Sequence, residues 1–184
     1  MIWFTSDNHF GHTNIIKYTK RPFTSVDEMD ETMIERWNER IGPNDDVYHL
    51  GDVGLCPADQ LREILDWLNG NIHLIVGNHE GAALQCKKRF QWVKDYYELK
   101  VPDEDAPNGS QKIVLLHYAM RIWNGCHRGT FHLYGHSHGT LTDDPFMRSL
   151  DAGVDSHNFY PISYQEVKSL MLKKQWTPPF KDRD

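Results

Sequence analysis

Short apolar runs alternate along the chain with segments whose apolar residues recur at helical spacing. The short runs predict strands at residues 1–5, 46–50, 72–76, 113–116, 131–134 and 148–150. Strands that alternate with helices are typical of layered α/β folds, in which helices cover the faces of a sheet. Because no internal repeat, low-complexity tract or long linker interrupts this pattern, we expect residues 1–184 to form a single domain.

Four segments have the apolar spacing of amphipathic helices. They lie between residues 25 and 42, between 57 and 70, over 82–90, and from 163 onward. Two of them begin with capping-box signatures, Ser25 with Glu28 and Ser163 with Glu166. Residues 102–111 are acidic and rich in turn-forming residues, which is typical of a solvated connection or a hairpin turn.

Composition and charge exclude several classes of protein. Hydrophobic residues make up 39% of the chain and charged residues 25%, as in ordinary soluble proteins, and no apolar run is long enough to span a membrane. The first residues lack the pattern of an export signal, and the three cysteines form no C-x-x-C pair, so we expect a cytoplasmic protein. The net charge of −6 disfavours binding to long nucleic acids.

Polar clusters follow five of the predicted strands at the point where each strand ends. In chain order they are Asp7-Asn8-His9, Gly51-Asp52, Gly77-Asn78-His79-Glu80, His117 and Gly135-His136-Ser137-His138. Each cluster alone is typical of an ordinary polar turn or a buried histidine. Ligands of open α/β sheets bind beyond the carboxyl ends of strands, so we expect these distant side chains to meet in one crevice.

The donor types in these clusters indicate a metal centre. Carboxylates, imidazoles and one carboxamide, without thiolate, suit manganese, iron, zinc, cobalt or nickel better than magnesium or calcium. The donors are too many for one tetrahedral ion. Two ions about 4 Å apart, bridged by a carboxylate, would use all of them, and such pairs typically promote in-line displacement at phosphorus.

The motifs and their order resemble those of the calcineurin-like metallophosphoesterase superfamily, in particular its small bacterial and phage phosphodiesterase-type members. The resemblance extends from the first predicted strand to the fifth. It implies a metallophosphoesterase domain with two mixed β-sheets packed as a sandwich and flanked by helices. Phe10 and Leu55 stand where the family often has Gly and Asp or Asn, which affects the expected shape of the substrate pocket.

The resemblance also implies a role for each motif residue. The implied ligands of the first metal are Asp7, His9 and His138. Those of the second metal are Asn78, His117 and His136. Asp52 would be the bridging, catalytic carboxylate, and His79 would bind phosphate together with Asn78 and protonate the leaving group. Glu80 would orient His79.

The activity implied by the resemblance is hydrolysis of a phosphate ester by in-line attack of a hydroxide held between two divalent ions. Manganese is the expected metal, with iron, zinc, nickel or cobalt as alternatives. A small nucleotide-like phosphodiester is the expected substrate. A phosphomonoesterase with the same metal centre and a non-catalytic metal-binding scaffold of the same fold are the alternatives, and a homodimer fits the behaviour of small relatives.

Residues near the motifs are candidates for further substrate contacts. His12 follows the first motif closely, so it either lines the pocket or belongs to the start of a short helix. Three arginines could hold a second substrate group through forked hydrogen bonds, with a solvated surface position as the alternative for each: Arg21, Arg121 and Arg128.

Overall fold

The computed structural model describes residues 1–180, which form two β-sheets packed face to face with helices outside them. The first sheet has the strand order β4-β3-β2-β1-β9. Its strands are Ile2–Thr5 (β1), Asp46–His49 (β2), Asn71–Ile75 (β3), Val93–Lys94 (β4) and Ile162–Ser163 (β9). Strands β1 to β4 are parallel and β9 is antiparallel to β1, so the sheet is mixed.

The second sheet has the strand order β5-β6-β7-β8. Its strands are Tyr97–Pro102 (β5), Ser110–Leu115 (β6), Phe131–Tyr134 (β7) and Ser149–Asp151 (β8). Strands β5 and β6 form an antiparallel hairpin, while β6, β7 and β8 are parallel. The predicted sandwich of two mixed sheets is therefore confirmed, as is the hairpin turn before β6.

Residues 1–180 contain five α-helices: Ile15–Tyr18 (α1), Val26–Arg40 (α2), Ala58–Trp67 (α3), Gly81–Gln85 (α4) and Tyr164–Lys173 (α5). Helices α1 to α4 lie between strands, and α5 follows β9. The capping box of α5 forms as predicted, with Ser163 and Glu166 exchanging hydrogen bonds. At α2 the Ser25 side chain accepts from the Glu28 amide, but the Glu28 carboxylate bonds Thr24 instead of completing the box. The start of α2 is thus held by two neighbouring side chains.

Two apolar layers hold the sandwich together. The layer between the sheets includes Phe4, Leu50, Ile75, Ile113, Phe131 and Leu133. The layer between the first sheet and helices α2 and α3 includes Met29, Met33, Trp37, Leu61 and Leu65. The first sheet is therefore buried on both faces, which fixes the carboxyl ends of its central strands. Within residues 1–180, no helix combines the length and apolar character needed to cross a membrane.

His132 on β7 gives the fold a testable pH dependence. Its ring is buried, and because Nε2 accepts from the Met120 amide, Nδ1 carries the proton that it donates to the Val114 carbonyl. Burial lowers the pKa of His132 to about 4, so the folded chain keeps it neutral. An unfolded histidine has a pKa near 6.5, so between those values the unfolded chain binds the additional proton.

We therefore expect the contribution of His132 to the free energy of unfolding to fall by about 2 kcal/mol from roughly pH 7 to pH 5. The His132→Gln amide keeps one donor and one acceptor at this position and does not titrate. Urea unfolding should show that this variant loses about 2 kcal/mol less than the parent chain over that range. Equal losses in the two proteins would contradict the buried neutral state.

Candidate metal centre

The predicted metal ligands and His79 lie at one end of the molecule, where the carboxyl ends of both sheets meet. The first sheet presents Asp7 and His9 after β1, Asp52 after β2, and Asn78 and His79 after β3. The second sheet presents His117 after β6, and His136 and His138 after β7. Residues spread over most of the chain thus come together, as the strand-end pattern predicts.

Five of these residues have a left-handed backbone, which is uncommon outside glycine. Their φ angles are 58° for Asp7, 53° for His9, 57° for Asp52, 66° for His136 and 47° for His138. Such conformations are unfavourable and are maintained only where surrounding contacts enforce them. These residues follow β1, β2 and β7, where they turn the chain close to the strand ends.

The donor atoms form two clusters in which all members lie within 4.8 Å of one another. The first cluster consists of Asp7, His9 and His138. The second cluster consists of Asp52, His117 and His136. The side chain of Asn78 adjoins the second cluster, with its Oδ1 atom 3.0 Å from His117 Nε2. Each cluster therefore offers the mixed oxygen and nitrogen donors that a divalent ion needs.

The carboxylate of Asp52 lies between the two clusters. Its Oδ2 atom is 3.5 Å from His9 Nε2 and 3.7 Å from His117 Nε2. Its Oδ1 atom accepts a 2.8 Å hydrogen bond from the His79 amide, which fixes the orientation of the carboxylate. A single oxygen of Asp52 thus faces donors of both clusters.

Hydrogen bonds on the far side of two imidazoles orient their rings. His138 Nδ1 is 2.7 Å from Asp155 Oδ2, and His117 Nδ1 is 2.7 Å from the Leu50 carbonyl. Both partners are acceptors, so each Nδ1 carries a proton, and Nε2 is the ring nitrogen that faces the clusters and could bind a metal. Partners of this kind commonly orient metal-binding histidines.

Several buried polar atoms at the centre have no hydrogen-bond partner among residues 1–180: Asp7 Oδ1, His9 Nδ1 and His9 Nε2. Burial raises the pKa of Asp7 to about 7 and lowers the pKa of His9 to about 2, because each group loses hydration. A buried polar group without a partner is costly. A divalent ion would pair with the Asp7 carboxylate and the neutral His9 ring, so these donors fit a metal.

Arg21 has a different role from the predicted substrate contact. Its guanidinium is buried and donates two hydrogen bonds to the Asp155 carboxylate, at 2.9 and 2.8 Å. It also donates to the carbonyls of Asp7, at 2.7 Å, and Asn8, at 2.8 Å. Its donors are therefore occupied beneath the site. Through Asp155, Arg21 connects the first motif to His138, so the prediction of a substrate contact for Arg21 is wrong.

Glu80 supports the loop that carries Asp52. Its buried Oε1 atom accepts a 3.0 Å hydrogen bond from the Val53 amide, directly after Asp52. Burial raises the pKa of Glu80 to about 7. No hydrogen bond joins Glu80 to the His79 ring in the described part of the chain. Glu80 thus positions the loop that carries Asp52, and its role in orienting His79 stays a prediction.

A cleft of about 970 Å³ opens above the clusters, and we call it the main cleft. His12 lines it, with its ring 5.4 Å from that of His9, whereas Arg121 is exposed and lies outside the lining. Arg128 lines a separate cavity. Leu55, which the sequence analysis associates with the shape of the pocket, lines the cleft, whereas other lining residues were missed, among them Tyr18 and Lys20. The closeness of Tyr18 and Lys20 to His9 in the sequence was the available signal.

Comparison with known proteins gives relatives of nearly the same length, although no family model matches the chain. The uncharacterized protein MJ1445 from Methanocaldococcus jannaschii is 35% identical over 179 residues, which cover 94% of this chain and 92% of that protein. The Gene 66 protein of Mycobacterium phage L5 is 25% identical over 194 residues, covering 92% of this chain and 93% of that protein.

A solved structure shares the fold. It is that of AQ665, a protein of unknown function from Aquifex aeolicus, with a TM-score of 0.71 and 23% identity. The match covers 92% of this chain and 98% of the other. The arrangement of two sheets and helices described above is therefore common to both proteins.

Gly77 offers a test of the centre through backbone packing. A Cβ atom at this position would lie 2.3 Å from Asp52 Oδ1 and 2.6 Å from the Asp52 amide nitrogen. Gly77→Ala should therefore displace Asp52 and weaken binding of Mn²⁺ about 10- to 100-fold, as measured by calorimetric titration of chelator-treated protein. Gly81→Ala is the matched control, since a Cβ there has no atom within 4 Å. Equal affinity in both variants would contradict the position assigned to Asp52.

Proposed function

The chain belongs to the same family as MJ1445 of Methanocaldococcus jannaschii, and we propose that it is a metal-dependent phosphoesterase with a two-ion centre. The motif resemblance supports placing it in the calcineurin-like metallophosphoesterase superfamily, with residues 1–184 as one catalytic domain. A small phosphodiester of nucleotide type is the proposed substrate.

The position of Asp52 is the observation that carries this proposal. One carboxylate oxygen faces His9 of the first cluster and His117 of the second, at 3.5 and 3.7 Å. That is the arrangement expected of a carboxylate shared by two ions. When bound, two divalent ions would supply a water nucleophile of lowered pKa and offset negative charge on the phosphate. Manganese is the proposed metal, since the nitrogen-rich donor set disfavours magnesium and calcium.

The chain's own residues would bind the ester and supply a proton to its leaving group. His79 is exposed in the main cleft, with its ring 5.8 Å from that of His9, where it could donate a proton to the departing oxygen. The Asn78 side chain is also exposed, so its amide can donate to a phosphate oxygen. The His79 amide is bonded to Asp52 Oδ1, so the proposed proton donor and bridging carboxylate are held by one loop.

The buried atoms of Asp7 and His9 that lack hydrogen-bond partners favour a functional metal centre over a scaffold that has lost it. A chain that no longer binds metal gains nothing from burying a carboxylate oxygen and an imidazole without partners. Replacement of either by an apolar residue would relieve that cost. Their presence therefore supports a centre that still holds ions.

We expect the manganese-loaded protein to hydrolyse bis-p-nitrophenyl phosphate faster than p-nitrophenyl phosphate, with activity lost on chelation and restored by Mn²⁺. The two esters release the same coloured product, so one assay compares them directly. A faster rate on the monoester would show instead that the protein is a phosphomonoesterase with the same metal centre. Full metal loading with no turnover of either ester would contradict the proposed function.

Two variants separate metal binding from proton donation. Asp52→Asn should lose both bound metal and turnover, because the shared carboxylate is gone. His79→Gln should keep two metal ions per chain but lower kcat about 10²- to 10⁴-fold, the usual contribution of a proton donor. Elemental analysis beside the hydrolysis assay distinguishes these outcomes. Parent-like turnover in Asp52→Asn would rule out the shared carboxylate.

A further inference from the structure

A second cavity adjoins the main cleft on the other side of His136. This side cavity has a volume of about 450 Å³ and is lined by Tyr118, Ala119 and Leu141 among others. The two cavities share three lining residues, namely His136, Ser137 and Thr140. The candidate metal centre therefore lies along a groove that continues in two directions, with different residues on each side.

The main cleft has an exposed aromatic wall. Tyr18 projects from the one-turn helix α1 with 72% of its surface exposed, and its ring lies 6.2 Å from that of His12. Leu55, from the loop after Asp52, is exposed in the same cleft. Neither side chain belongs to the apolar core, so Tyr18 offers a largely free aromatic face beside the centre.

The side cavity has an aromatic wall of its own. Tyr118 is 46% exposed, and its ring lies 4.8 Å from that of His136 and 5.0 Å from that of His117. Its hydroxyl lies 3.5 Å from Asn78 Oδ1. Leu141 is exposed in the same cavity. Each direction of the groove thus has one exposed tyrosine and one exposed leucine.

The position of His79 assigns the two directions. In an in-line displacement the leaving group departs opposite the attacking oxygen, and its proton donor must be on that side. His79 lines the main cleft and is not among the residues that line the side cavity. A leaving group protonated by His79 would therefore occupy the main cleft, and the substituent retained on phosphorus would extend into the side cavity.

We propose that the groove binds a phosphodiester with a planar aromatic group on each side, such as two nucleosides. Tyr18 contacts the leaving group and Tyr118 contacts the retained substituent. This inference rests on the proposed phosphoesterase function. Stacking on one aromatic side chain typically changes affinity by roughly 5- to 150-fold, so each tyrosine should have a measurable effect.

Two chromogenic esters test the sides separately. Bis-p-nitrophenyl phosphate has an aromatic group on both sides, whereas methyl p-nitrophenyl phosphate has one only on the leaving group. Tyr18→Ala should raise KM about tenfold for both esters, and Tyr118→Ala should raise it about tenfold for the bis-aryl ester alone. Tyr96→Ala is the matched control, since Tyr96 is an exposed tyrosine outside both cavities and should leave both KM values unchanged.

A binding measurement complements the kinetics. Calorimetry on manganese-loaded His79→Gln should give a dissociation constant for the bis-aryl ester that rises about tenfold on adding Tyr118→Ala, with no change for the methyl ester. If both esters are hydrolysed and neither tyrosine substitution has an effect, the proposed groove is wrong while the phosphoesterase function is supported. Equal effects of Tyr118→Ala on the two esters would overturn the assignment of sides. Absence of hydrolysis would contradict the proposed function. The ratio of the dissociation constants with and without Tyr118→Ala would still show whether Tyr118 contacts the ester.

Discussion

The site depends on the close approach of the two sheets at their carboxyl ends. A Cβ atom at Gly135 would lie 2.0 Å from Ser6 Oγ and 2.4 Å from Asp7 Oδ2, so only glycine allows β7 to end this close to β1. A parallel bridge between Ser6 and Gly153 and a 2.9 Å hydrogen bond from the His136 amide to Asp7 join the sheets at the same place. The two clusters can face each other only because of this contact between sheets.

That arrangement places buried carboxylates and imidazoles together at an electrostatic cost. Burial raises the pKa of Asp7 to about 7 and lowers the pKa of His9 to about 2. Beneath them, the buried pair of Arg21 and Asp155 is fully hydrogen-bonded, and the pKa of Asp155 falls to about 2: burial would raise it, but the bonds from His138 and Arg21 prevail. The Arg21–Asp155 pair has its hydrogen bonds, whereas polar atoms of Asp7 and His9 lack partners. This difference is expected of a site that binds its ions after folding.

The positions of the strand-end motifs could be predicted from the sequence, because each motif follows a short apolar run that is buried in the sandwich. Short strands and edge strands were harder to predict. Strand β5 alternates buried Leu99 and Val101 with exposed Lys100, a detectable signal, whereas β4 and β9 have two residues each and depend on their neighbours. The role of Arg21 was inaccessible for another reason. Its partner Asp155 lies 134 residues away, and no local pattern shows that a guanidinium turns inward to meet it.

The molecule separates the parts that hold the proposed ions from the parts that would recognise the substrate. The candidate metal-binding residues directly follow strands whose side chains are buried, whereas Tyr18 lies on a single helical turn and Tyr118 in the loop after β6. Substitutions on such exposed segments cost little stability, while those at the strand ends disturb packed backbone. The loops can therefore change which ester is accepted without altering the centre. For this reason the strand-end motifs alone could indicate a class of chemistry, and the substrate had to be inferred from the walls of the groove.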